Sequence, residues 1–187
     1  MKITHIIIHH AGGTDANPLQ DSSNYTVQMC NRDHKRFDML SSLGWYVGYQ
    51  YFIDKQGVVT KCREDTEEGA HTIGQNKSSI GICLAGNFDA TLPTEAQKTA
   101  LKALLEKKMK EWNIPIQNIV PHRKFAVKTC FGRKLPDDFA QKLVTVPTTK
   151  ADTVTPLLSK LVFQIGNKQY KEARDTCSYL FNELTKV

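Results

Sequence analysis

Long apolar runs are missing from this chain of 187 residues, and none approaches the roughly 20 residues needed to cross a bilayer. The opening Met1-Lys2-Ile3-Thr4-His5 reaches His9 and His10 after only three consecutive isoleucines, without the apolar stretch and small-residue cleavage site of a secretory signal. The expectation is therefore a cytoplasmic protein with no membrane span. Paired cysteine motifs are lacking too. Cys30, Cys62, Cys83, Cys130 and Cys177 are odd in number and widely scattered, which suits buried thiols or a metal ligand better than a disulfide framework. There is no internal repeat, no low-complexity tract and no recognised nucleic-acid-binding motif.

What is present is ordinary globular material, 40% hydrophobic and 24% charged, enough for one domain with a short appendage. The formal charge of +6 suggests an anionic partner. It is divided between the main body and the tail, so no basic arm dominates, and nucleic acid is an unlikely partner.

Residues 3–8 read as a short buried strand that delivers His9 and His10 to its C-terminal end. Tyr25, Met29, Cys30, His34 and Phe37 recur at helical spacing and predict a helix from Asn24 to about Leu40. Tyr46 to Asp54 reads as a strand, Lys55-Gln56-Gly57 as a turn, and Val58 to Cys62 as the returning strand of a hairpin. Ser79 to Leu84 is another buried strand. Thr94 followed by Gln97 marks a capping box, opening a helix with Leu101, Leu104, Leu105 and Met109 on one face and lysines opposite. Ile119-Val120 is a brief strand, His122 to Leu135 an ordered loop, and Asp137 to Val144 a short helix. This predicts an α/β fold, a central mixed sheet flanked by helices, over residues 1–146. Residues 147–156 read as a linker, and 157–187 as an αα-hairpin that packs, dimerises or binds a wall polymer.

His9, His122 and Cys130 stand out as candidate zinc ligands, since zinc takes imidazole and thiolate and a catalytic site keeps a fourth position open. On spacing alone the signal is weak, and packed or hydrogen-bonded histidines explain it as well. His10, His34, His71 and Cys83 are spare candidates for a closed structural site, none tightly spaced. Adjacent His9 and His10 on a strand point to opposite faces, so they do not share one metal.

The segments IIIHHAGG, GWYVGYQYFID, GAHTIGQNKSSIGICLAGNFD and IVPHRKFAVKTCFG occur in that order. Together they resemble the zinc-dependent N-acetylmuramoyl-L-alanine amidases of the type-2 amidase and peptidoglycan-recognition superfamily, most of all the small phage amidases called lysozymes. The resemblance spans about residues 3–144. It implies one zinc per chain held by His9, His122 and Cys130, with catalytic roles for Tyr49 and Lys128. His71 matches a position at the groove edge that could touch the muropeptide, although a hydrogen-bonded loop histidine fits equally. Two departures stand out: Gln50 where the family usually has histidine, and Phe131 where it has proline.

The implied reaction is hydrolysis of the amide between N-acetylmuramic acid and L-alanine in peptidoglycan, with anionic cell-wall polymers as a further partner for the basic surface. A cytoplasmic enzyme of this kind suits a phage endolysin released to the wall by a holin. Alternatives are a cytosolic muropeptide-recycling amidase and a non-catalytic peptidoglycan-binding module.

Overall fold

The computed structural model describes residues 2–145. The linker and hairpin expected over 147–187 lie outside the described residues.

Five strands, β1 (His5–His10), β2 (Tyr51–Ile53), β3 (Val59–Lys61), β4 (Ser79–Leu84) and β5 (Ile119–Pro121), form one sheet in the order β3-β2-β4-β1-β5. β1 runs parallel to both β4 and β5, β2 runs parallel to β4, and only the β2–β3 hairpin is antiparallel. The expected mixed sheet is thus present. Parallel pairing buries both faces of the central strands, and Ile6, Ile7 and Ile8 are fully buried. Each such side chain contributes on the order of 1.5–3 kcal/mol.

One face carries Ile6, Ile8, Tyr51, Ile53, Ile80, Ile82 and Leu84 in the larger core cluster, with side chains of α2 (Glu95–Trp112) and α3 (Phe139–Thr145) packed among them. The capping box is present: Thr94 Oγ1 accepts from the Gln97 amide, and Gln97 Oε1 accepts from the Thr94 amide, each at 3.1 Å. One residue of the expected lysine face is elsewhere. Lys108 is buried at the spacing of the leucine stripe, and its ammonium donates to Asp65 Oδ2 and to Glu111 at 2.7 Å each. Asp65 also accepts from Tyr51 OH and Trp112 Nε1, so the buried carboxylate is fully partnered.

The opposite face is built from Cys30, Val47, Phe52, Cys62, Cys83 and Ala85. Here α1 (Val27–His34) is shorter than the helix expected over Asn24–Leu40, and a 3-10 turn, Lys35–Phe37, ends it. Of the expected stripe only Cys30 is buried, while Met29 and Phe37 remain exposed. The strand expected over Tyr46–Asp54 is reduced to Tyr51–Ile53, leaving Tyr49 in the irregular approach to it. Gln50 accounts for part of this break. Its Oε1 accepts from the Gly81 amide at 2.8 Å and its Nε2 donates to the Glu67 carbonyl at 2.9 Å, so the buried amide ties three segments together.

Candidate active site

His9 lies near the C-terminal end of β1, and His122 follows β5 directly. Because β1 and β5 are parallel neighbours with Ile8 opposite Pro121, sheet register alone sets these two imidazoles side by side. Their ring centroids are 4.5 Å apart. Cys130 arrives from the loop that continues from His122, and its Sγ lies 3.7 Å from His9 Nδ1. That loop is held by Arg123, which donates to the carbonyls of Gly132 and Leu135 at 2.7 Å each. Asp89 holds it from the other side, accepting from Thr129 Oγ1 and the Arg133 amide at 2.7 Å each. Phe131, where the family has proline, is buried in the core against Phe139 rather than facing the groove.

One ligand atom each from His9, His122 and Cys130 falls within 4.8 Å of the others. Zinc bonds of about 2.0–2.3 Å place tetrahedral neighbours roughly 3.3–3.8 Å apart, so the donor set and its spacing fit zinc. Burial, then the neighbouring His71 and His122, holds His9 well below the usual imidazole range. Burial followed by the charge of Lys128 lowers His122 to about 4. Both rings are therefore neutral near pH 7, with lone pairs free for a metal. Burial pushes the Cys130 thiol up to about 12, so a bound cation is what would draw off its proton.

The trio opens into a cavity of about 720 Å³ also lined by Tyr49, Lys128, Asp89 and His34. Its wall at Ala11 to Asp15, His34 and Arg36 is shared with an adjoining cavity of about 620 Å³. The result is an extended groove, suited to a chain-like ligand. Lys128 is exposed at its margin. Tyr49 is half-buried, with its ring 4.9 Å from that of His9 and 5.3 Å from that of His34. Burial, and next the Cys83 thiol, pushes its hydroxyl well above the usual phenol value, so it stays protonated as a donor.

The structure thus brings together His9, His122, Cys130, Tyr49 and Lys128. His71 lines the same cavity, although its ring is largely buried, and its Nδ1 lies 3.1 Å from His9 Nε2. His10 points to the other face, where its Nδ1 accepts the Phe88 amide at 2.9 Å. Asp89 and Arg123 carry no site signal of their own in the sequence, and His34, a spare candidate for a closed structural metal site there, lies outside the trio. His34 Nδ1 accepts from the Gly48 amide at 2.9 Å and so fixes the segment bearing Tyr49. The only sequence signal for Asp89 was its place at the end of the GNFD motif.

This sheet, with two histidines at the ends of its parallel strands and a cysteine from the loop that follows the second, defines a peptidoglycan amidase-fold domain. The chain belongs to the N-acetylmuramoyl-L-alanine amidase family, whose sequence model matches residues 1–135. It is 31% identical over 135 residues to peptidoglycan-recognition protein SC2 of Drosophila melanogaster, covering 71% of this chain and 70% of that protein. It is 34% identical over 94 residues to the endolysin of Escherichia phage T7, covering 46% of this chain and 60% of the endolysin. Among solved structures, the endolysin N-acetylmuramoyl-L-alanine amidase LysCS from Clostridium intestinale superposes with a TM-score of 0.64 at 25% identity, covering 79% of this chain and 86% of that one. Bumblebee peptidoglycan-recognition protein SA superposes with a TM-score of 0.58 at 25% identity, covering 78% and 82%.

Proposed function

We propose that this chain is a zinc-dependent N-acetylmuramoyl-L-alanine amidase that cleaves the lactyl amide of peptidoglycan and serves as a phage endolysin. The observation that carries the reading is the convergence of His9, His122 and Cys130 on one point of a groove that also holds Lys128 and Tyr49. Family membership and likeness to endolysins support the amidase chemistry and the lytic role.

His9, His122 and Cys130 would hold the metal. Zinc supplies, when bound, a Lewis acid that polarises the amide carbonyl and acidifies a water. The groove orients the muropeptide so that the lactyl amide lies over the trio. Lys128 brings a fixed positive charge to the margin where the carbonyl oxygen gathers negative charge as the tetrahedral centre forms. Tyr49, held protonated by its buried setting, donates a hydrogen bond to the reacting oxygen or orients the attacking water. A non-catalytic binding module has no need of the thiolate and the cation together.

The test is digestion of purified peptidoglycan, scoring new L-alanine amino termini against new reducing sugar ends, with chelation and zinc add-back. Alanine amines that vanish with chelator and return with zinc are expected. Reducing ends would indicate a glycosidase and overturn the mechanism, and tight pelleting with the wall without products would establish a binding module. For the lytic role, co-expression with a holin in a bacterial host is expected to lyse the culture. Intact cells under those conditions would remove it.

A further inference from the structure

A histidine that ligates through Nδ1 must carry its proton on Nε2, and a group placed to accept that proton decides which tautomer prevails. His9 turns Nδ1 towards Cys130 Sγ at 3.7 Å and Nε2 towards His71 Nδ1 at 3.1 Å. Thr72 Oγ1 lies 3.1 Å from the same His71 nitrogen and 3.4 Å from His9 Nε2, close enough to share the same proton.

The setting of His71 is built rather than incidental. Its ring occupies space that side chains on Gly69 and Gly81 would need: a Cβ at Gly69 would stand 2.5 Å, and one at Gly81 2.6 Å, from His71 Cδ2. The backbone beneath the ring is pinned as well, since Asn76 Oδ1 accepts from the amides of His71 at 3.0 Å and Thr72 at 2.8 Å. The ring thus has one position, and in that position its Nδ1 meets His9. The other ring nitrogen, Nε2, is buried without a hydrogen bond of ordinary geometry.

We propose that His71 is the positioning residue of the metal site, its Nδ1 accepting from His9 Nε2 and thereby fixing His9 in the tautomer that offers Nδ1 to zinc. The inference rests on the zinc-amidase reading above. It assigns His71 to the metal's support instead of to substrate contact, and it accounts for the glycines on either side of the ring.

The experiment measures zinc affinity of the full chain by competition with a chromophoric chelator, apart from any activity. His71→Leu fills the slot without an acceptor, whereas His71→Asn keeps an oxygen where Nδ1 stood. His71→Leu is expected to weaken zinc binding by about 10–100-fold, with His71→Asn recovering most of it. The melting temperatures of the two metal-free variants should lie close together, separating the metal effect from packing. Equal zinc affinity in wild type and His71→Leu would overturn the inference and leave the amidase reading intact, and so would equal losses in both variants. Wild-type protein that takes up no zinc would overturn both.

Should His71→Leu fail to fold, imidazole nitrogen NMR of the zinc-loaded wild-type chain decides the matter. It should find His9 protonated on Nε2 and His71 unprotonated on Nδ1. A proton on His71 Nδ1 would overturn the proposal.

Discussion

Cys130 Sγ and His9 Nδ1 stand 3.7 Å apart although 121 residues separate them in the chain. The thiol is half-buried at the groove, at the margin of the larger core cluster, and a serine hydroxyl is close to it in size, so its chemistry can be changed without emptying the core. Cys130→Ser should cut zinc affinity by more than about 100-fold and bring amidase activity to background, with metal-free melting temperature within a few degrees of wild type. Metal content after dialysis and calorimetry check the two halves separately.

Lys128→Ala removes an exposed cation from the margin of the groove. The rate constant kcat should fall by about 10²–10³, the usual cost of one group that stabilises a developing oxyanion. Zinc content and stability should not change. A rise in KM at constant kcat would mean that Lys128 binds substrate and takes no part in the transition state.

Gly81 lies in the middle of β4 beneath the His71 ring, and an added Cβ would meet Cγ and Nε2 of that ring at 2.7 and 2.8 Å. Gly81→Ala is expected to destabilise the protein by about 1–3 kcal/mol, as overpacking of a filled site does. Denaturant melts check this. Unchanged stability would show that the ring has room to move.

Lys108 and Asp65 form a buried pair in the α2 side of the core. Asp65→Asn leaves an ammonium with only half-exposed Glu111 as its ionic partner, and breaking such a pair from one side costs about 3–5 kcal/mol. Lys108→Met should cost less, because Tyr51 and Trp112 still donate to Asp65. A larger loss for Lys108→Met would reverse that order.

His34 must be neutral at Nδ1 to accept the Gly48 amide, and burial, then Arg36, lowers it to about 4, with Arg63 acting the same way and Asp33 opposing. The unfolded chain binds this proton near pH 6.5 and the folded chain only near pH 4. Stability is therefore full above pH 6.5 and declines as pH falls through that window. Thermal melts of wild type should fall more steeply between pH 7 and 5 than those of His34→Gln. Parallel curves would remove His34 from the account.

Local signals were legible in the sequence where the structure is local. The β4 limits and the capping box at Thr94 follow from neighbours within a few residues, and both are present as read. The chain before β2 was misread as strand because aromatic density at Tyr46 to Tyr51 outweighs Gly48 and Gln50. Those two residues are committed elsewhere: Gly48 is pressed against the Ala70 backbone, and Gln50 reaches across to Gly81. The ligand trio came from family resemblance, since nothing in the spacing of residues 9, 122 and 130 requires a meeting. The support from His71 was invisible for the same reason, its partner being 62 residues away. Lys108 was misassigned because its spacing from Leu101 marks an inward position while its charge suggests an outward one.

β1 pairs three identical side chains, Ile6, Ile7 and Ile8, against buried neighbours on both sides. A run of isoleucines looks the same when slid by one step, so apolar burial alone does not tell one register from the next. The marks are the two histidines that follow. In the observed alignment His9 faces the cysteine loop and His10 takes the Phe88 amide; a slip of one step puts one of them in the other's place and leaves Ala11 or Ile8 where an imidazole is needed. The same pair that equips the groove therefore proofreads the threading of the central strand: a chain misthreaded by one step cannot both assemble the metal trio and satisfy that amide.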